Sequence, residues 1–525
     1  MNWSTRSGIP PLSLLALPAC FGLTASGRAQ YPVTSTEHAF VRSDVGYLGS
    51  SDRYLVVWSI QETRGVGPVR ARLTDGTGRP FGPTIDLGAL GTGPRVAAVY
   101  ARGRFVVVWG DVDDVPHLVS VDGRTGAVSP EVVLSAPVRS YAVSGEATQV
   151  FGDALLAYAN DGGTFVRRVS VLSDGRLDLR DRVQIDEHSS DVSMPRSGGS
   201  TGRYLVIAAN SFTGSDGRTV VCHGVVVDRS LRVLDPSVAI FRNYTPAMEV
   251  DGDGQNWLVA WSTLRDPRAL VSPVEVLGLS ITFDAVGGSA YPSAAPRLFE
   301  HGLAPSTHPY VAWLGESAVM SLLIGGRPVR HSIDPVVCDT CETRRVFFAP
   351  VDASSGGAVA SKLSGGNFAE PASYVIAYSG DASEGETRLT ALLSQPSGGR
   401  DGRTTAMGGG CSYGTPMVVD VGCARTDATM SLRLRGARPG VGCWAQISNR
   451  THYITCGACM IVPDLSGPTF VTETDVHGVA LARLFVPDLA STLGTTLYAQ
   501  WFVSGGPPTS CLYLETSPAV SVVVE

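Results

Sequence analysis

Lysine is all but missing from this chain: of its 41 lysines and arginines, only Lys362 is a lysine. The arginines are scattered, with no basic run or basic face. That excludes nucleic-acid binding driven by an electrostatic patch and fits a codon bias towards Arg, Ala, Gly and Val. Charge of either sign is scarce: 17% of residues are charged, 44% are hydrophobic, and the net charge is −7. This balance argues against disorder. Beyond the first thirty residues no stretch reaches the ~18 apolar residues of a membrane-spanning helix. Long amphipathic helices are missing as well. What is abundant is glycine (60) and proline (33), spread between short apolar runs. Many short strands joined by turns have that composition, so the expected class is all-β.

The N-terminal stretch "MNWSTRSGIPPLSLLALPACFGLTASGRAQ" has a weakly positive start (Arg6), then a short apolar segment, then small residues at Ala25–Gly27 and Gly27–Ala29. It is expected to be a secretory signal over 1–29, too short to remain as a membrane anchor. "LPAC" (Leu17–Cys20) also fits a lipoprotein box, which would place a lipid anchor on Cys20. The expected location is secreted or at the cell surface. Cysteine usage suits an oxidising compartment: Cys411, Cys423, Cys443, Cys456, Cys459 and Cys511 crowd the C-terminal part, Cys338 and Cys341 form "CDTC", and Cys222 stands alone.

One apolar phrase recurs: "RYLVVW", "RFVVVW", "DALLAY", "RYLVIA", "NWLVAW", "PYVAW" and "SYVIAY", ending at Trp58, Trp109, Tyr158, Ala208, Trp261, Trp313 and Tyr378. A period of about fifty residues marks a repeat array, and runs this short and rich in Val, Leu, Tyr and Trp read as strands buried on both faces. In the second repeat "GPRVAAVYARGR" precedes the phrase as an inner strand. "HLVSVDGRTGAV" and "PEVVL" follow as third and fourth strands around a "DGRTG" turn. Four strands per repeat make a propeller blade, so 31–394 is expected to form a seven-bladed β-propeller; a β-solenoid is the alternative, although solenoid repeats are shorter. The segment Arg327–Arg345 reads as an insertion in the sixth repeat, and Tyr31–Phe40 as the outer strand that completes the last.

A Gly-rich stretch, 395–410, reads as a linker. Beyond it "MSLRLRG" alternates, and "GVALARLFVPD", "TLYAQWFV", "CWAQIS" and "AVSVVVE" add strands. Residues 411–525 are expected to form a small disulfide-stapled β-sandwich. The "YLVVW"-like strands, with "GCWAQIS", "VPDL" and "GTTLYAQWFV" in the tail, resemble uncharacterised secreted repeat proteins of bacteria that carry a cysteine-containing C-terminal domain. That resemblance implies architecture and no catalytic residues.

Motifs for chemistry are weak. "GGSTG" (Gly198–Gly202) matches a nucleophile elbow but leads into a strand instead of leaving one, so Ser200 reads as a turn residue. His331, Cys338 and Cys341 supply three potential zinc ligands without the second half of a site, so a local disulfide is expected. "CGAC" (Cys456–Cys459) lacks the context of a redox pair and reads as structural. No cofactor is expected. "VDGDGQNW" places Asp251 and Asp253 as in a calcium loop, but Ser262 stands where the closing glutamate would be, and a turn accounts for the pattern. The loops after the second strands carry Glu62, Asp111, Asp113, Asp114, Asp161, Asp216, Asp266, Glu316 and Asp381. Together they would form an acidic face able to bind cations, a basic peptide or sugar hydroxyls, unless they only serve their turns. The function expected is non-enzymatic binding of a protein or glycan. A carbohydrate-active enzyme, which would need a free carboxylate pair, and an envelope component anchored by the tail are the alternatives.

Overall fold

The structure is a computed structural model. It describes residues 30–524 apart from 37–39, 61–66, 148–151, 188–190, 200, 215–216, 243–246, 265–273, 286, 294–295, 304–307, 315–317, 325–326, 335–338, 346–352, 362–373, 383–385, 395–403, 409–410, 412–416, 423–427, 457–458, 477, 488–490, 493 and 507–512. The signal segment and Cys20 therefore lie outside the described residues. Strands dominate, and among the described residues no helix is long and apolar enough to cross a membrane.

The repeated phrase is a strand buried on both faces. In Arg53–Ile60 every residue from Tyr54 onward is buried. Phe40–Leu48 pairs along one edge and Gly67–Asp75 along the other, both antiparallel. Such a strand has no solvent face and so needs no polar alternation, which is why it reads as a continuous apolar run. The same central role falls to Arg104–Gly110, Asp153–Asn160, Arg203–Gly214, Asn256–Leu264 and Tyr374–Ala382. The first two repeats join in one seven-stranded sheet, because the 20-residue strand Pro80–Val99 ends the first and begins the second. Tight third-to-fourth hairpins follow, built on Asp carboxylates that accept amides within the turn, such as Asp122 from Arg124 and Thr125.

In the sixth repeat two expectations need correction. "PYVAW" is the first strand of its sheet (Tyr310–Trp313); the strand with a neighbour on each side is Ala318–Ile324, "AVMSLLI". A first strand packed towards the centre is as apolar as a second strand, and the longer run four residues on takes the two-sided position. The supposed insertion Arg327–Arg345 is regular structure: Arg327–Asp334 and Asp339–Arg345 are the third and fourth strands of this sheet. By contrast, the N-terminal strand Gln30–Thr36 does pair with Glu386–Ser394, at the edge of the sheet formed by the last repeat.

In the C-terminal part a six-stranded and a three-stranded sheet share one core. Met430, Leu432 and Leu434 of the smaller sheet pack with Ala445, Ile447, Trp501 and Val522 of the larger. Thr404–Gly408 belongs to the larger sheet through Ala519–Val523, so the stretch read as linker contributes a strand. Cys411 and Cys459 form a disulfide with a Cα–Cα distance of 4.9 Å. Cys459 is thus bonded 48 residues back in sequence, while "CGAC" itself closes the hairpin of Thr451–Cys456 and Cys459–Pro463. Cys443, a disulfide candidate from its position, is instead a buried free thiol on a core strand among the described residues, and burial pushes its pKa up to about 11. Cys222 is likewise a buried free thiol. Cys338, Cys423 and Cys511, with the side chains of Cys341 and Cys456, lie outside the described residues.

Candidate functional site

The register of the first strands places charge at one recurring position. Opposite the penultimate residue of the six phrases that form second strands stand Asp44 (against Val57), Arg95 (Val108), Ala142 (Ala157), Ser193 (Ile207), Glu249 (Ala260) and Ala358 (Ala377). Three of the six are charged, and they meet. Arg95 Nη1 lies 3.6 Å from Glu249 Oε2. Arg196, which follows the short strand Asp191–Ser193, reaches Asp44 Oδ1 at 2.8 Å and Glu249 Oε1 at 3.9 Å. His308 Nε2 is 3.5 Å from Glu249 Oε2. Residues more than 150 positions apart in sequence are in direct contact. First strands from separate sheets therefore converge on one centre, which is the organisation of a β-propeller.

Every carboxylate at this centre is engaged. Asp44 Oδ2 accepts the Val96 amide at 2.9 Å while its other oxygen takes Arg196. Asp251 accepts the Arg196 amide on Oδ1 (3.1 Å) and the Trp313 amide on Oδ2 (2.8 Å). Glu146 Oε2 accepts the Tyr204 hydroxyl at 3.1 Å. Arg196 also donates to the Val45 carbonyl at 2.9 Å. Burial works against charge on Glu249, but Arg95, the His308 hydrogen bond and Arg196 outweigh it and hold the carboxyl down at about 2. At Asp251 burial wins over the Trp313 amide and Arg196, and raises the carboxyl to about 6. Burial also lowers the His308 pKa, against the hydrogen bond to Glu249. Chemically this centre is a buried network in which opposite charges and amide dipoles pair, with Arg196 Nε left without a hydrogen-bond partner among the described residues.

Of the anticipated acidic face, Asp111, Asp113, Asp114 and Asp161 are among the described residues. Asp111 Oδ1 accepts the amides of Asp113 (2.8 Å) and Val115 (2.9 Å), and Oδ2 lies 3.2 Å from His117 Nε2. Burial opposes its charge, yet the Val115 amide and His117 carry its pKa below the usual carboxylate range. His117 stacks on Trp109 and contacts Glu131 at 2.9 Å on its other nitrogen. Asp113 and Asp114 are exposed. Asp161 is exposed and paired with Arg139. Glu62, Asp216, Asp266, Glu316 and the side chain of Asp381 lie outside the described residues.

Of the calcium-like pair, Asp253 accepts the Gln255 and Asn256 amides in its turn, whereas Asp251 faces the centre. The two carboxylates thus serve different partners. His331 is buried 3.2 Å from Glu300 of the preceding sheet, and burial lowers its pKa to about 4. Ser200 lies outside the described residues; around it Gly202 donates to Gly198 in a turn that leads into Arg203–Gly214.

Sequence reasoning missed Asp44, Arg95, Glu146, Arg196 and Glu249. The available signal was a charged residue a short way before the phrase: nine positions before its first residue at Asp44 and Arg95, seven at Glu146, Arg196 and Glu249.

No family model and no curated protein matches the chain. Among solved structures it is similar to the Dos1 propeller at 11% identity, covering 69% of this chain and 95% of that one with a TM-score of 0.37. The polysaccharide lyase Uly1 is also 11% identical, over 65% of this chain and 87% of its own, with a TM-score of 0.42. Kluyvelomyces marxianus Hsv2 is 10% identical, over 68% and 97%, with a TM-score of 0.34.

Proposed function

We propose that this chain is an exported, non-enzymatic binding protein. In this reading residues 31–394 form a seven-bladed propeller closed by the N-terminal strand, and residues 411–525 form a disulfide-stapled sandwich. The loop ends of the disc are presented to a protein or glycan at the cell surface. The observation that supports it is that the carboxylates of the centre are engaged. A glycosidase needs two carboxyl groups free to face the bond being cleaved, and Asp44, Glu249 and Asp251 are each committed to an arginine or to backbone amides. A rigid disc with short loops then acts through its rim, where Asp113 and Asp114 stand exposed.

The test is a glycan array and cell-envelope pull-down with the mature protein, assayed in parallel for release of reducing ends. Retention without release is expected. Release by the wild type that disappears in Glu249→Gln, with the fold intact, would replace this reading with the carbohydrate-active enzyme.

A further inference from the structure

On the ends of the strands opposite the acidic loops, a cleft of about 760 Å³ opens between the fourth and fifth repeats, lined by Arg203, Arg229, Arg232, Asp228, Ser230 and Phe283 among others. Three guanidinium groups against one carboxylate make it a positive pocket on a chain whose net charge is −7. Its size is that of a small-molecule site, well above what a bare ion requires.

Arg203 distinguishes this cleft. Arg104, at the same place in the second repeat, reaches Ser120 Oγ at 3.1 Å and its own turn carboxylate, Asp122, at 3.7 Å. In the fourth repeat the corresponding carboxylate is already taken. Asp228 Oδ1 accepts the amides of Ser230 (2.9 Å) and Arg232 (3.0 Å), and Oδ2 accepts Arg232 Nε at 3.2 Å. The Arg203 guanidinium instead lies over the Phe283 ring, 4.9 Å from its centroid. Among the described residues it has no hydrogen-bond or carboxylate partner. Stacking holds the planar group at a defined tilt while its five donors stay unspent, an arrangement suited to bidentate recognition of an oxyanion. Arg229 lies against Gly202, where an added Cβ would come within 2.7 Å of Nε, so the cleft wall is packed as well as charged.

The geometry points to an oxyanion-binding site in this cleft, with Arg203 as the anchoring residue, taking a carboxylate or sulfate group on a sugar-sized ligand. This goes beyond the binding reading above by naming a ligand chemistry and a different face of the disc.

The experiment is isothermal titration of the full mature chain at low salt with glucuronate, with glucose 6-sulfate, and with glucose as the neutral control. Saturable binding of at least one of the two anions but not of glucose is expected, weakened about tenfold or more in Arg203→Gln. Arg203→Lys, which keeps charge but loses the planar fork, is expected to fall between. Arg232→Gln supplies a variant with little risk to folding, because that side chain is 75% exposed. It should also weaken the anion, since it removes one charge and frees Asp228 to neutralise Arg203. If neither anion binds saturably, or if both bind Arg203→Gln as tightly as wild type, the site is refuted. Envelope retention measured on the same variants separates the two readings. Retention that survives the loss of anion binding leaves the binding function standing on another surface. Anion binding without any retention leaves the cleft standing and removes the envelope role.

Discussion

Glu249 and Asp251 lie two residues apart on one strand, yet their surroundings move their carboxyls in opposite directions, to about 2 and about 6. Glu249 therefore contributes stability that is fully present above its ordinary value of 4.5 and is lost as pH falls through about 2. Asp251 does the reverse. Between its ordinary 3.8 and about 6 the folded protein holds a proton that the unfolded chain has released, so stability declines as pH rises through that window. In urea unfolding at pH 4, 5, 6 and 7, Asp251→Asn should abolish that decline, so that its deficit against wild type is largest at pH 4 and shrinks by pH 7. The deficit itself is expected at about 1–3 kcal/mol, because the asparagine NH₂ faces an amide donor that the carboxylate accepted. A deficit independent of pH would show that Asp251 is not the titrating group. Glu249→Gln leaves Arg95 and Arg196 short of a counter-charge, and should cost about 3–5 kcal/mol in the same measurement at pH 7. None of these partnerships was legible in the sequence. Asp44 (in RSDVG) or Glu249 (in AMEVDG) looks like one more polar residue on a half-exposed strand, and its partner lies in another repeat.

Strands were the most legible level, because burial on both faces imposes an apolar run that nothing else in this composition imitates. The misassigned "PYVAW" shows where that ends: composition reports burial but not the number of hydrogen-bonded neighbours. Contacts between repeats were hidden for the same reason. Gly145 follows the first strand of the third repeat, Ser140–Ser144, and donates to the Arg196 carbonyl at 2.8 Å while lying against the second repeat. A Cβ there would stand 1.8 Å from the Ala98 carbonyl oxygen, and that atom belongs to backbone that cannot swing aside. Gly145→Ala should thus force the first strands of three repeats apart. It is expected to destabilise the protein by more than about 3 kcal/mol, read as a fall in the denaturation midpoint. A loss under about 1 kcal/mol would mean that this crossing is loose enough to yield.

At the scale of the whole molecule, the alternation "MSLRLRG" announced a strand with one buried face but not what lay on the other. Leu432 and Leu434 are fully buried in the core shared by the two C-terminal sheets. Arg433, between them, points the other way, as alternation along a strand requires. Even so it is only 4% exposed, because it lies against the fifth repeat. Its Nη1 donates to Thr282 Oγ1 at 3.1 Å and its Nη2 to Asn256 Oδ1 at 3.0 Å. A guanidinium with two neutral acceptors inside a contact between two parts of the chain acts as a latch: hydrogen bonds to a charged donor carry more free energy than neutral ones, and a docked surface excludes the competing water. Arg433→Ala should weaken the docking of the C-terminal sheets by about 2–4 kcal/mol while leaving each core intact, since the leucines on either side face inward. The expected outcome is a larger radius of gyration by small-angle scattering, with the near-ultraviolet signal of Trp501 and the repeat tryptophans retained. An unchanged radius would mean that apolar contact holds the two parts together. A collapsed near-ultraviolet signal would mean that the C-terminal sheets depend on the repeats to fold, and that the latch is part of one cooperative unit.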